Sequence, residues 1–161
     1  MAFPVTFVPG QILEAAELND NFNYAYTGYT SFTPTMGGWT QGNATFDGKY
    51  AVNGETVHYY GVLSFGSTSA VTASALTLTL PVTAQASPDS LGICSWNDIS
   101  GGQAVAGTVK NTTTTLLDLY WHDPEAAPIA VRLESWTTAV TLPFTFATGD
   151  FIFWDIQYRK A

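Results

Sequence analysis

The amino-acid sequence predicts an all-β protein: an antiparallel β-sandwich or jelly roll preceded by a short N-terminal extended segment and a helix. Three observations carry this. From about Phe32 onward, apolar residues recur with the two-residue period of strands. Turn chemistry, beginning with Asn53-Gly54, separates these runs at hairpin spacing. Past residue 27, no stretch has the helical periodicity needed for the crossover helices of a parallel sheet.

The chain opens with an extended, proline-containing stretch, Phe3-Pro4-Val5-Thr6-Phe7-Val8-Pro9-Gly10. A helix is expected over roughly Leu13 to Tyr26, because Ala15, Leu18, Phe22 and Ala25 recur at spacings of three, four and three and so share one stripe. Glu14 and Glu17 near its start offset the positive end of the helix dipole. Isolated helices of about this length are marginal in water, so the stripe needs a partner surface. It packs either on its own β domain or against the same stripe of sister chains around a symmetry axis. Thr27-Gly28-Tyr29-Thr30-Ser31 reads as a linker, which divides the chain into an attachment segment, 1–27, and a β domain, 28–161.

Within the β domain, Leu76-Thr77-Leu78-Thr79-Leu80 alternates strictly, three leucines toward a core and two threonines away from it. Phe151 to Tyr158 begins apolar on both faces. Further strands are expected near Thr45 to Val52, Thr56 to Phe65, Leu91 to Trp96, Ala104 to Lys110, Thr115 to Trp121, Ile129 to Ser135 and Thr141 to Phe146. Gly101-Gly102, Asp123-Pro124 and Thr148-Gly149-Asp150 mark other turns.

A chain of 161 residues can bury roughly 70% of its unfolded surface and so needs no metal or disulfide to fold. Only 11% of its residues are charged, against about 25% in ordinary soluble domains. Either copies of the chain or neighbours in an assembly cover part of the surface, or that surface is neutral and rich in Thr, Ser, Gly and Asn. The net charge of -8 repels phosphate backbones and anionic headgroups, which argues against nucleic acid and membrane surfaces as partners. Neither a signal peptide nor a run of about 18 apolar residues is present, so synthesis in a cytoplasm without membrane insertion is expected. Cys94, the single cysteine, sits in Leu91-Gly92-Ile93-Cys94 and reads as a buried strand residue.

The N-terminal run Phe7-Val8-Pro9-Gly10-Gln11-Ile12-Leu13-Glu14-Ala15-Ala16-Glu17-Leu18-Asn19 resembles the start of small tail-fibre, minor tail and head-fibre proteins of bacteriophages, particularly those of actinobacteria. The entry Phe32-Thr33-Pro34 to Trp39, followed by Gly48-Lys49-Tyr50 and Gly54 to Val57, is similar to a second pattern of that group. The strand ending Leu80-Pro81-Val82 is similar to a third. The resemblance covers about the first half of the chain, with a weaker echo in Phe146 to Asp150. It implies a particle-bound N-terminal segment and a distal β knob, commonly trimeric. One departure is Glu14, where the group often has Thr or Ser; glutamate is the poorer helix cap.

Few residues suggest chemistry. His58 lies in an expected strand, and His122 stands beside Asp123 and Glu125 in a run whose spacing matches no metal motif, so a solvated turn is the better reading. Asp118, Asp155 and Glu134 fall in strands and would have to converge to act as a carboxylate pair. There is no phosphate-cradling loop or nucleophile elbow. Sugars stack on exposed rings; of Trp39, Trp96, Trp121, Trp136 and Trp154, the surface candidates are Trp121, beside the acidic turn, and Trp136.

The sequence thus leads us to expect a non-enzymatic virion protein without cofactor or metal. It would be homotrimeric and anchored to other capsid or tail proteins, with Phe7, Pro9, Leu13, Ala15, Leu18, Phe22 and Ala25 as the oligomer or anchor contacts. A receptor- or glycan-binding module for host attachment is the alternative.

Overall fold

A computed structural model describes residues 28–71, 75–86, 89–123, 132–135 and 145–161. The expected N-terminal helix and its contact residues, Phe7 to Ala25, lie outside the described residues, as do Glu125 and Trp136.

The described residues contain strands and no helix. In chain order the strands are β1 (Thr30–Ser31), β2 (Met36–Gly37), β3 (Trp39–Thr40), β4 (Thr45–Asn53), β5 (Thr56–Ser64) and β6 (Ala70–Val71). They continue with β7 (Thr77–Thr79), β8 (Asp89–Asp98), β9 (Gln103–Asn111), β10 (Leu116–Asp123), β11 (Arg132–Ser135) and β12 (Phe151–Arg159).

Ten strands form one curled antiparallel sheet in the order β1-β4-β5-β12-β8-β9-β10-β7-β2, with β11 also paired to β10. Sandwich or jelly roll is a finer description than these pairings give. The sheet order begins and ends on one stretch of chain: β1 pairs with β4 at one margin, and β2 pairs with β7 at the other. Backbone bonds from Phe32 N–H to the Gly48 carbonyl and from Thr79 N–H to the Thr35 carbonyl continue this stitch, which covers part of each margin. The stretch expected to be a linker is therefore partly strand, because Thr30 and Ser31 supply ladder bonds that Tyr50 and Lys49 would otherwise lack. The remaining pair, β3 with β6, forms a small separate sheet.

Of the expected strands, β4, β5, β7, β8, β9, β10 and β12 are present with ends shifted by a few residues. Only Arg132–Ser135 of the Ile129 to Ser135 run is described as strand, and Thr145 and Phe146 lie outside any strand. Phe146 instead stacks on Phe65 and meets Trp96 edge-on, closing one end of the core.

Alternation sorts the core. Val57, Tyr59 and Leu63 of β5, Ile152, Trp154 and Ile156 of β12, and Leu117 and Leu119 of β10 are all buried on the same face. Ladder register aligns Gly48, Gly61, Trp154, Cys94, Gly107 and Trp121 in one row across six neighbouring strands. Glycines in that row make room for indoles: a Cβ on Gly61 would stand 2.4 Å from Trp154 Cζ2, well inside van der Waals contact. Burial pushes the Cys94 thiol up to about 12, only partly opposed by the Trp96 indole, so it is a core residue and a poor nucleophile.

The β4–β5 hairpin closes with Gly54 and Glu55 between the paired Asn53 and Thr56. Gly54 takes φ 60°, the mirror-image region that two-residue hairpin turns require. At the β8–β9 turn the Asp98 carboxylate accepts the Gly101 N–H and the Ser100 hydroxyl, which hold it below the usual carboxylate range. Asp150, buried, accepts N–H groups from Ile99 and Ala147 and so ties that turn to the start of β12.

Candidate functional site: a clamp where the chain enters the sheet

The outward face of the sheet carries the polar side chains that strand alternation removes from the core. In β5, His58 and Tyr60 point outward between the inward Val57, Tyr59 and Gly61; in β12, Asp155 does so between Trp154 and Ile156. Register places Asp155 opposite Tyr60 and diagonal to His58, within reach of long side chains. His58 Nε2 lies 2.7 Å from Asp155 Oδ1, with both side chains partly exposed.

Tyr29, just before β1, completes the group. Its hydroxyl lies 2.7 Å from His58 Nδ1, and its ring meets those of Tyr60 and His58 edge-on. An ionised carboxylate only accepts, so Asp155 assigns the proton to Nε2 and leaves Nδ1 to accept from the Tyr29 hydroxyl. An imidazolium would keep both contacts, with the Tyr29 hydroxyl turned to accept. The clamp therefore holds in either protonation state.

Its position gives it meaning. Tyr29 is 52% exposed and is the second of the described residues, immediately before β1. Along the same outward row stand Lys49, Tyr60, Asp155, Ile93, Thr108 and Tyr120, and Ile93 is 65% exposed.

Other residues singled out in the sequence do not meet. Asp118 on β10 and Asp155 on β12 are separated by β8 and β9, three ladder steps or about 14 Å. Glu134 pairs in backbone register with Trp121. Asp118 is 7% exposed, and its carboxyl is pushed upward by burial, partly offset by the Tyr120 hydroxyl. His122 bonds through Nε2 to the Thr108 hydroxyl at 2.8 Å. Among the described residues no group of three or more His, Cys, Asp or Glu is placed to hold a metal ion.

Trp121, expected at the surface beside the acidic turn, is 5% exposed and belongs to the core row. The parity of β10 turns it inward with Leu117 and Leu119, leaving no free ring face for a sugar. Sequence reading missed Tyr29, since a tyrosine among Thr, Gly and Ser has the composition of a linker and its partner lies 29 residues away. It also missed the pairing of His58 with Asp155, for which the only sequence signal is that both occupy outward strand positions.

A second feature lies at the far end of β12. There β8 stops pairing with β12 after Gly92, next to a bulge between Ser90 and Gly92. A recess of about 370 Å³ opens there, lined by Thr56, Gln85, Leu91, Gln157, Tyr158 and Arg159, among others. The Arg159 guanidinium is paired with the Glu55 carboxylate and holds it below the usual carboxylate range.

No protein-family model matches the chain, and neither a curated protein nor a solved structure matches it.

Proposed function

We propose that this chain is a non-enzymatic structural protein of a bacteriophage particle, bound by residues 1–27 and projecting its β domain as a short fibre, spike or capsid decoration. The curled sheet would then be a body of the sandwich or jelly-roll kind. The observation that supports this reading is the Tyr29–His58–Asp155 clamp: the first described residues are bonded to the outer face of the sheet where a tether would pull. The scarcity of charge and the exposed Ile93 agree with a surface that meets other copies, and a homotrimer would hide such flanks.

The test is whether antibodies to the chain decorate purified particles of the source phage, and whether the chain co-sediments with capsids or tails through its first 27 residues. Light scattering on the full-length chain should give three copies. A soluble monomer at tens of micromolar that ignores both particles and tails would overturn the reading. Attachment to a host-surface glycan is the second reading. It is favoured by the recess at the β5–β12 end, whose exposed rim carries amides, a hydroxyl and the Glu55-paired Arg159 guanidinium.

A further inference from the structure

The recess at the end of β12 combines an apolar floor with a polar rim that, among the described residues, carries no unpaired charge. Ala84, Leu91 and Tyr158 form the floor and are buried; Thr56, Gln85, Gln157 and Arg159 form the rim and are exposed. The Tyr158 hydroxyl is already satisfied: it donates to the Val82 carbonyl at 2.8 Å and accepts the Val82 N–H. At 6% exposed, Tyr158 therefore offers the recess only an edge of its ring and no polar group. The volume of about 370 Å³ lies in the range of about 300–1,000 Å³ that small-ligand sites span.

The rim decides the ligand class. Among the described residues the one cation lining the recess, Arg159, is already paired with Glu55, so an anion would gain less there than from a free guanidinium. A wholly apolar ligand would leave the amides of Gln85 and Gln157 and the Thr56 hydroxyl facing it without partners. A ligand with one apolar face and closely spaced neutral hydroxyls satisfies both surfaces. We infer that this recess binds a neutral pyranose unit, its C–H groups against the apolar floor of Ala84, Leu91 and the Tyr158 ring edge and its hydroxyls bonded to Gln85, Gln157 and Thr56.

The inference rests on the host-glycan reading and is independent of particle attachment. It moves the sugar site away from Trp121, which is in the core, to the seam that opens where β8 leaves β12. Gln85 is held there through its backbone, whose N–H donates to the Arg159 carbonyl at 2.8 Å, so its side chain is free to change without loosening the seam.

The experiment is titration of the full-length, isotope-labelled chain with the methyl glycosides of galactose, glucose, mannose and N-acetylglucosamine. Methyl glucuronide and inorganic sulfate serve as anionic probes, and amide chemical shifts are the readout. At least one neutral glycoside should move the amides of Thr56, Gln85, Leu91, Gln157 and Arg159. Gln85→Ala and Gln157→Ala should each weaken it about 3- to 10-fold, the loss of one neutral hydrogen bond, with unfolding midpoints unchanged. Stronger binding of glucuronide or sulfate at the recess would overturn the assignment of a neutral ligand. Shifts confined to another surface, or binding unaffected by both glutamine variants, would overturn the recess while leaving the glycan reading standing. Absence of any sugar-induced shift would overturn both and leave particle attachment untouched.

Discussion

Replacing Gly61 by alanine probes the row that organises the core. The new Cβ would sit 2.4 Å from Trp154 Cζ2, 1.0 Å short of the 3.4 Å at which ordinary contact begins (3.4 − 2.4). Trp154 is fully buried and its ring already meets Tyr59 edge-on at 5.8 Å, so it has nowhere to retreat without displacing a second buried ring. Overpacking of this kind costs about 1–3 kcal/mol. Gly61 does not adopt a positive φ, so alanine also stiffens the unfolded chain and recovers about 0.4–1 kcal/mol. The net loss expected is about 1–2 kcal/mol, or about 2–8 °C in Tm for a chain of this size. Denaturant unfolding of the single variants, Gly61→Ala and Trp154→Phe, and of the double variant closes a thermodynamic cycle. The smaller ring should make the alanine nearly harmless, with a coupling of about 1 kcal/mol. If Gly61→Ala is as stable as the parent, or costs the same in both backgrounds, the packing argument fails.

Gly54→Ala isolates the complementary effect: its Cβ meets nothing within 4 Å, yet φ is 60°, so a loss of about 1–2 kcal/mol should arise from backbone strain alone and persist beside Trp154→Phe. Asp118→Asn should stabilise the protein at neutral pH. Burial raises the folded-state pKa of Asp118 above the unfolded value, so ionising it disfavours the fold. The advantage of the variant should be full above the folded-state pKa, shrink as pH falls through it and vanish below about pH 3.9, and an advantage that grew in acid would reverse the assigned sign. Cys94 should resist iodoacetamide in the native protein at pH 8 and react on unfolding, because burial pushes its pKa up to about 12; rapid native labelling would contradict that. Tyr29→Phe removes a partly exposed hydrogen bond and should lower global stability by less than about 1 kcal/mol. It should nevertheless speed amide exchange at Thr30 and Ser31, and unchanged exchange there would show that the clamp does not fasten the entry strand.

The amino-acid sequence by itself determined the all-β class, the positions of the long strands and which side chains face the core. Those properties are local: alternation in Leu76 to Leu80 and Phe151 to Tyr158 and the turn at Gly54 act within a few residues. Even the inward turn of Trp121 follows from counting by twos from Leu117 and Leu119, where its acidic neighbours pointed the other way. Tertiary structure decided which strands lie side by side, and with them the candidate sites. His58 and Asp155 are 97 residues apart and meet only because β5 pairs with β12 in one particular register. A slip of one residue would exchange the clamp for core residues. The recess likewise exists because β8 leaves β12 at a bulge, and the closing stitch from β1 to β2 depends on where the first and last strands of the curl arrive. Pairing across such separations is fixed by the packing of the whole row of indoles and glycines, a sum over many weak contacts that no short stretch of chain encodes.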